Sequence, residues 1–344
     1  MRTAIIGTGS IAGSHVEGFG SLDDCKVVAA CDINGEKAEA FAGEHGIPAV
    51  YEDFRQMIAQ EGPDAVSIAT WDEAHRPAAL AAFDAGVHVL CEKPLARTYE
   101  DARVMADAAA ESGLANIVNF SYRNAPAIHG ANDYIQAGKI GEVRHVEASY
   151  FQAWLCGSWF TEEMDLRPPW RLSSERSLGV LGDLGVHIVD FASYPVGDIQ
   201  TVFCNLKTYP KADKERIKGE KLDANDSAVL NVEFANGALG TIHTTRRANG
   251  HSNSLRLRIY GEKGSVLVDL DESWDSFRVA RDGGWSKGES ETIDCPTTPT
   301  NFQRFDTSIR TGENGQPDFA RAAAIQKILD ACVESDRTGQ RVGV

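Results

Sequence analysis

The chain has 344 residues, of which 42% are hydrophobic and 24% charged, and it carries a formal net charge of −16. This balance is ordinary for a soluble globular protein, and the length is sufficient for two hydrophobic cores. The acidity argues against nucleic acid or an anionic membrane surface as the main partner.

Targeting and redox features of the sequence predict a cytoplasmic protein. No apolar run approaches the roughly 18 residues that span a bilayer. The N-terminus begins almost directly with a predicted strand rather than with a signal segment. The seven cysteines are scattered and never spaced as Cys-x-x-Cys. We therefore expect reduced thiols, with no disulfide framework and no metal site.

A glycine-rich loop follows the first predicted strand, Thr3–Ile6. Its pattern is G-x-G-x-x-A, and a helical stretch comes directly after it. The first glycine of such a loop makes a tight turn, and the second lets the backbone approach a pyrophosphate. The N-terminus of the helix also attracts phosphates. This context predicts a dinucleotide-binding loop that includes Gly7, Thr8, Gly9, Ser10 and Ile11.

The second predicted strand, Lys26–Cys31, ends at Asp32. Asp32 follows Gly7 by about 25 residues, which is near the spacing of the acid that binds ribose hydroxyls. The alternative is that Asp32 caps the helix predicted over Gly35–Glu44. The next residues, beginning with Ile33, include no arginine that could meet a 2′-phosphate. We expect Asp32 and Ile33 to contact the cofactor, which the pattern predicts to be NAD rather than NADP.

Helices and strands continue to alternate up to residue 119. The further strands are predicted at Ala49–Tyr51, Ala65–Ala69, Val87–Cys91 and Asn116–Asn119. Strands that alternate with helices of this length predict an α/β fold with a doubly wound parallel sheet.

Chemically distinctive residues follow two of these strands. Thr70 and Trp71 come after the fourth strand, and Glu92-Lys93-Pro94 comes after the fifth, where proline stops the strand. Open α/β sheets bind ligands at the carboxyl ends of their strands, so we expect these residues beside the cofactor. The alternative for Glu92 and Lys93 is an ion pair at the strand end that faces water.

His75 lies in the predicted helix that follows Trp71. It is a candidate cofactor neighbour, because this helix begins at the predicted ligand-binding edge. The alternative is an exposed histidine on the helix surface.

The pattern changes after residue 119. A helix is predicted over Pro126–Ala137 and a long strand over Glu142–Trp154. A loop rich in aromatic residues and prolines follows and ends at Trp170-Arg171. Its aromatic side chains, Trp154 among them, suit the faces of a carbohydrate, and the alternative is an interface between proteins.

The apolar helical run Gly179–Asp190 carries an acid and a histidine. Asp183 and His187 are four residues apart, so they share one helix face. A buried acid beside a histidine is either a satisfied structural pair or part of a catalytic site.

From Gln200 onward the sequence is rich in predicted strands. Asn236-Gly237 is a strong hairpin signal between two of them, and a second hairpin turns at Gly261–Gly264. The charged stretch Lys207–Asp226 is predicted to be a solvated loop. Asp318–Glu334 is predicted to be an amphipathic helix. These features predict a large, open, mostly antiparallel sheet in the second half.

The glycine loop, the Glu92-Lys93-Pro94 strand end and the Asp183-x-x-x-His187 helix together resemble the glucose–fructose oxidoreductase / inositol dehydrogenase / MocA (Gfo/Idh/MocA) family. The resemblance implies an N-terminal Rossmann domain that binds NAD, here residues 1–121. It also implies a C-terminal α/β domain, here residues 122–344, for substrate binding and oligomerisation. In that family the open sheet often forms the interface of an oligomer, so a homodimer or homotetramer is expected. The helix 318–334 is expected to pack back toward the first domain.

Residue roles also follow from the resemblance. It implies that Lys93 stands beside the nicotinamide, commonly before a cis proline, and that Asp183 and His187 are catalytic. It further implies that Tyr122-Arg123 lies near the substrate, and that Trp170-Arg171 lies near the cofactor. Trp154, Lys93, Asp183 and His187 complete the expected substrate contacts.

The expected reaction is the reversible oxidation of a secondary hydroxyl of a sugar, sugar derivative or cyclitol by NAD. His187 would act as general base, Asp183 would orient its ring, and Lys93 would stabilise alkoxide charge. The sequence leaves open whether Lys93 or His187 accepts the proton. It also leaves open a redox-neutral glycosidase that uses bound NAD transiently, and a non-catalytic NAD-binding sensor.

Overall fold

The structure is a computed structural model that describes residues 1–156, 169–211, 215–281 and 288–344. The chain folds into two compact units. The first comprises Met1–Asn124 and Pro299–Gln326, and the second comprises Ala125–Thr298 and Lys327–Val344. The central part of the predicted aromatic loop, residues 157–168, lies outside the described residues.

The first unit contains a six-stranded parallel sheet with the order β3-β2-β1-β4-β5-β6. Its strands are β1 Arg2–Ile6, β2 Lys26–Cys31, β3 Ala49–Tyr51, β4 Ala65–Ile68, β5 His88–Cys91 and β6 Asn116–Val118. The strand order reverses between β1 and β4, and ligands of such sheets bind in the crevice outside the carboxyl ends of the strands at that point. The predicted doubly wound parallel sheet is confirmed.

Five helices alternate with these strands: α1 Ala12–Gly20, α2 Gly35–His45, α3 Phe54–Glu61, α4 His75–Asp84 and α5 Tyr99–Ser112. Side chains cap three of them at the N-terminus, namely Asn34, Asp53 and Thr98. Each of these side chains accepts a hydrogen bond from a backbone N–H that has no partner within the helix. Asn34, not Asp32, caps α2, so the capping alternative for Asp32 is wrong.

The second unit is built on a nine-stranded sheet with the order β16-β15-β14-β13-β7-β12-β11-β8-β17. The bounds are β7 Val143–Phe151, β8 Ile199–Lys207, β11 Ser227–Phe234, β12 Leu239–Thr245, β13 Ser254–Gly261, β14 Gly264–Asp269, β15 Ser276–Arg281, β16 Glu291–Asp294 and β17 Val342–Gly343. Among the described strands of this sheet, only β7 and β12 pair in parallel. The predicted large, mostly antiparallel sheet is therefore confirmed.

Two helices of the second unit, α6 Pro126–Gln136 and α7 Val186–Val196, pack on each other, and α7 also packs on β7, β12 and β13. The strands alternate accordingly: β12 buries every second side chain and leaves the others partly or fully exposed. The opposite face carries exposed apolar residues on three strands, Val229, Leu239 and Tyr260. A buried face and an open face thus share one sheet.

The last two helices are α8 Asn301–Thr311 and α9 Phe319–Thr338. α8 belongs to the first unit, where Phe302 and Phe305 join the core around Ile5 and Leu90. The ring of Phe302 meets Phe19 of α1 edge-on, with centroids 5.1 Å apart. α9 begins in the first unit and contributes its residues from Lys327 onward to the second.

The predicted solvated loop over Lys207–Asp226 is wrong in part. It includes a short hairpin of β9 Arg216–Ile217 and β10 Glu220–Lys221. The side chains of Lys211 and Asp226 are fully buried and lie 3.1 Å apart as an ion pair. The charges that made the stretch look solvated therefore partly neutralise each other inside the protein.

No helix in the described part of the chain combines the length and apolarity that crossing a bilayer requires. The seven cysteines all fall within the described ranges and carry free thiols, of which Cys31 and Cys91 are buried at the ends of β2 and β5.

Candidate active site

The glycine loop lies between β1 and α1 and is packed tightly against the end of β4. Gly7 has a φ of +92°, a left-handed conformation that favours glycine. A Cβ on Gly7 would come within 2.7 Å of the Thr70 side chain and 2.8 Å of the Ala69 carbonyl. No larger residue fits here without moving the strand end. The loop thus leads straight into the N-terminus of α1, where backbone N–H groups can donate hydrogen bonds to phosphate oxygens.

Asp32, at the carboxyl end of β2, is joined to the glycine loop by hydrogen bonds. Its Oδ2 accepts from the backbone N–H and from the hydroxyl of Thr8, both at 2.9 Å, and its Oδ1 accepts from the N–H of Asn34 at 3.0 Å. Partial burial by itself would raise the pKa of Asp32, but these hydrogen bonds and the nearby Lys37 ammonium lower it overall. The carboxylate is therefore ionised beside the loop. This arrangement fits a dinucleotide whose ribose hydroxyls donate to Asp32.

Glu92 does not face water, so the surface ion-pair alternative is wrong for this residue. It is only 7% exposed, and its Oε1 lies 3.0 Å from Nε2 of His15 and accepts from Nδ2 of Asn119 at 2.7 Å. Its Oε2 accepts from the backbone N–H of Lys93 at 3.2 Å. Burial would raise the pKa of Glu92, but the hydrogen bond and charge of His15, with help from Lys93 and Asn119, lower it to about 2.

Lys93 is partly buried and follows this anchored glutamate at the end of β5. The Lys93–Pro94 peptide bond is cis, as the family resemblance implied. The His15 ring that holds Glu92 also lies 2.6 Å from the Ser67 hydroxyl on β4, through its Nδ1. The residue before Lys93 is thus fixed to α1, β4 and the segment after β6.

His75 is 1% exposed, so the alternative of a surface histidine is wrong. Its Nδ1 lies 3.0 Å from the Pro94 carbonyl oxygen, and its Nε2 lies 3.2 Å from the Thr70 carbonyl oxygen. The ring therefore bridges the two segments that follow β4 and β5. Trp71 is partly buried in the first of these segments.

Tyr122 and Arg123 lie in a 3-10 turn, Ser121–Asn124, that follows β6. They are 7% and 3% exposed, and the carbonyl of Arg123 accepts from Nη1 of Arg304 at 3.1 Å. The first unit therefore brings the glycine loop, Asp32, Thr70, Glu92 and Lys93 to the carboxyl ends of its strands, with the Tyr122-Arg123 turn after β6.

In the second unit, Asp183 lies in a π-helical turn, Leu181–Gly185, immediately before α7. Such wide turns occur frequently at functional sites. The Oδ1 of Asp183 accepts from Nη1 of Arg171 at 2.8 Å, and its Oδ2 accepts from Nη2 of Arg246 at 3.0 Å. The family resemblance implied that Arg171 lies near the cofactor, and no role for Arg246 was predicted from the sequence.

His187 lies in the first turn of α7 and is 6% exposed. The ring of Tyr150 meets it edge-on, with centroids 6.2 Å apart. The sequence predicted that Asp183 and His187 share one face of a regular α-helix. In the structure Asp183 lies in a π-helical turn and only His187 lies in the α-helix that follows it.

Polar groups surround the Tyr150 side of this histidine. The Tyr150 hydroxyl donates to Oδ1 of Asn253 at 2.5 Å, and Gln152 donates to the same oxygen at 2.7 Å. The indole N–H of Trp154 donates to Oε1 of Gln152 at 2.9 Å. Only Trp154 was named here from the sequence, although the predicted strand Glu142–Trp154 would place Tyr150, Gln152 and Trp154 on one side. In the structure this strand is shorter, because β7 ends at Phe151 and Trp154 lies in a turn.

Trp170 lies in the 3-10 turn Pro169–Leu172, and the guanidinium of Arg171 stands 5.2 Å from its ring centroid. Arg171 therefore contacts an aromatic ring and the Asp183 carboxylate at once. The second unit brings together Arg171, Asp183 and Arg246 in one cluster. It places His187 beside the aromatic and amide residues of β7 and the segment that follows it.

Known proteins resemble the chain in both units. The Gfo/Idh/MocA oxidoreductase family, described by its NAD-binding Rossmann fold, matches residues 1–120, and the Gfo/Idh/MocA C-terminal domain matches residues 128–267. Levoglucosan dehydrogenase of Pseudarthrobacter phenanthrenivorans is 33% identical, over 90% of this chain and 87% of its own length. D-glucoside 3-dehydrogenase of Escherichia coli K12 is 29% identical, over 99% of this chain and 97% of its own length.

A solved structure of levoglucosan dehydrogenase in complex with NADH and levoglucosan has the same fold. Its TM-score to this chain is 0.89 at 27% identity, and the match covers 100% of this chain and 99% of the other. The predicted family resemblance and the prediction of NAD as cofactor are confirmed. The chain belongs to the Gfo/Idh/MocA family and is an NAD-dependent oxidoreductase that acts on CH–OH groups.

Proposed function

We propose that this enzyme oxidises a secondary hydroxyl of a pyranose sugar, a sugar derivative or a cyclitol to the ketone. The observation that carries the proposal lies in the first unit. A lysine follows β5 on the same sheet edge as the glycine loop and Asp32, and a buried carboxylate fixes its backbone. A fixed cation at a dinucleotide-binding edge suits the stabilisation of developing alkoxide charge.

The cofactor would be held by the chain's first half. Gly7, Thr8, Gly9, Ser10 and Ile11 would hold the pyrophosphate, and Asp32 would accept from the ribose hydroxyls. Ile33 is 89% exposed and Ile11 41% exposed, and a bound cofactor would cover apolar side chains of this kind. Thr70, Trp71, His75, Glu92 and Trp170-Arg171 are the remaining candidates for cofactor contacts. When bound, NAD would be the oxidant and would accept a hydride from the substrate carbon.

The proton chemistry would belong to Lys93 and His187. His187 would take the hydroxyl proton as general base, since the unperturbed pKa of histidine, about 6.5, suits this task. Lys93 would donate a hydrogen bond to the same oxygen and stabilise its developing charge. Asp183 would orient the imidazole and stabilise its charged form. Tyr122, Arg123 and Trp154 would contact the remainder of the substrate.

The relatives support a sugar as substrate. The names of two of them state oxidation of levoglucosan and of the 3-position of D-glucosides. Both substrates are pyranose rings that lack a free anomeric hydroxyl. We therefore propose ring-locked pyranosides as the first substrates to try and myo-inositol as the cyclitol for comparison.

The experiment is a panel assay with the purified enzyme and NAD. Levoglucosan, methyl glucosides and myo-inositol are each supplied, and NADH formation and product identity are measured. We expect stoichiometric NADH and a keto sugar from at least one of them. Cleavage of a glucoside without net NADH would instead identify a redox-neutral glycosidase. Tight NAD binding without turnover of any panel member would favour the sensor alternative.

We also propose that the enzyme is a homodimer or homotetramer. The open face of the nine-stranded sheet exposes Val229, Leu239 and Tyr260, which lie on three different strands. Apolar side chains grouped on one sheet face favour contact with another protein surface. A second copy of the same face would cover them in a closed two-fold arrangement.

A further inference from the structure

Arg246, the residue directly after β12, is the largest fully buried side chain in the described part of the chain. Burying a guanidinium is unfavourable unless hydrogen bonds and a nearby negative charge compensate for the lost water. Both Nη atoms of Arg246 have acceptors, whereas its buried Nε has no hydrogen-bond partner among the described residues. Burial lowers the pKa of Arg246 and the Asp183 carboxylate opposes that effect. Because an arginine stays protonated over the whole physiological range, a permanent positive charge is held inside the second unit.

The acceptors of this guanidinium all belong to the segment that carries the candidate catalytic acid. Nη2 donates to Oδ2 of Asp183 and to the carbonyl of Gly179, both at 3.0 Å, and Nη1 donates to the carbonyl of Arg171 at 3.3 Å. Gly179 has a φ of +63°, and a Cβ there would come within 2.7 Å of Asn225. The backbone is thus bent tightly where Arg246 holds it, just before the π-helical turn.

The same guanidinium also faces an aromatic ring. Its central carbon stands 5.0 Å from the ring centroid of Trp154, a distance at which cations are attracted to indole faces. Trp154 in turn donates to Gln152, which is hydrogen-bonded to Tyr150 beside His187. The buried charge of Arg246 therefore contacts Asp183 directly, and through Trp154 it is connected to the hydrogen-bonded residues beside His187.

We propose that Arg246 is a positioning residue of the reaction, because it holds Asp183 and Trp154 in one fixed arrangement. The inference rests on the proposed function only in taking Asp183 as a catalytic group. Arg246 itself need not touch substrate or cofactor. Its planar group reaches several acceptors at once, which the point charge of a lysine cannot do.

The test compares Arg246→Met and Arg246→Lys with Arg247→Met as the matched control. Arg247 is the adjacent residue, but it donates to the carbonyls of Leu155 and Pro210 and stacks on Tyr209. With the panel sugar that gives the highest turnover, Arg246→Met should lower kcat roughly 100-fold, as expected when a catalytic group is misplaced. The KM for NAD should stay near the wild-type value. Arg246→Lys should recover part of the loss, and Arg247→Met should retain nearly wild-type turnover.

A double-mutant comparison separates positioning from general damage. If Arg246 acts through Asp183, adding Arg246→Met to Asp183→Asn should reduce kcat little further, because residues that act as a unit are not additive. Multiplicative losses would overturn the inference. If Arg246→Met does not fold, Arg246→Lys carries the same test in the Asp183→Asn background.

A second readout does not need a substrate. Titration of the His187 ring can be followed by NMR of isotope-labelled histidine, with His187→Asn for assignment. Removing Arg246 leaves Asp183 with one neutralising cation fewer, so the pKa of His187 should rise in Arg246→Met and not in Arg247→Met. Equal pKa values in all three proteins would overturn the inference.

These outcomes also distinguish the inference from the proposed function. If Asp183→Asn alone retains wild-type turnover, the catalytic role of Asp183 fails and the proposed function must be revised. If Asp183→Asn is impaired while folded Arg246→Met has normal turnover, the proposed function stands and the role of Arg246 is refuted.

Discussion

The imidazole of His15, in α1, lies 3.0 Å from the carboxylate of Glu92, the residue directly before Lys93. Both side chains are buried, and Asn119 donates to the same carboxylate oxygen. The helix that follows the glycine loop is therefore tied to the strand end that presents the candidate catalytic lysine. This contact links the proposed cofactor-binding loop to the candidate catalytic lysine within the first unit.

Replacing Glu92 should remove a stabilisation that depends on pH. The folded pKa of about 2 is below the ordinary value of 4.5, so ionised Glu92 stabilises the fold at neutral pH. That contribution, about 3 kcal/mol at pH 7, should disappear as the pH falls from about 4.5 to about 2. Urea unfolding of wild type and Glu92→Gln at neutral and acidic pH measures it. A stability difference that stays constant with pH would contradict this assignment, and Glu334→Gln on the surface of α9 serves as control.

Asp32 should determine the choice of cofactor. Wild type should prefer NAD to NADP by at least about tenfold in kcat/KM, because the 2′-phosphate would face an ionised carboxylate. Lys37, whose Nζ lies 3.6 Å from Oδ2 of Asp32, is a cation that could meet that phosphate once the acid is gone. Asp32→Ser should therefore raise kcat/KM for NADP, and adding Lys37→Ala should reverse the gain. Equal use of both cofactors by wild type would refute the role of Asp32.

The open sheet face should be an interface between copies of the chain. Light scattering of wild type at micromolar concentration should give a mass that is a multiple of 37.3 kDa. Leu239→Arg should reduce that mass, because the buried charge would be unpaired at the interface. Val333→Arg alters an exposed apolar residue on α9 rather than on a strand of the sheet, and should leave the mass unchanged. A monomeric wild type would exclude the interface.

Local patterns in the sequence predicted the first unit well. Each of its six strands is a short apolar run with a clear end. The glycine loop is recognised from six consecutive residues, so it needs no information from distant parts of the chain. α8 was not predicted, although Thr300 and Gln303 form a capping box that marks its start in the sequence.

Features that depend on distant residues could not be predicted. A water-facing ion pair stayed open as an alternative for Glu92 because its partners, His15 and Asn119, lie far away along the chain. Arg246 lies beside Asp183 because β12 pairs with β7 and β11 in the sheet, and this pairing is not visible in the local sequence. The tertiary fold determines which polar residues lie next to each other in the interior. Short stretches of a single sequence do not contain that information.

The most direct test of the proposed mechanism is the rate of NADH formation by Lys93→Met, His187→Asn and the double variant. The substrate is the panel sugar that wild type oxidises fastest, and thermal stability and NAD affinity are measured on the same samples. Each single change should lower kcat by roughly two orders of magnitude or more with NAD binding nearly intact. The double variant should be far less than multiplicatively worse if both groups act on one hydroxyl, as the proposed mechanism requires. Folded, stable single variants that turn over the sugar at the wild-type rate would contradict the mechanism.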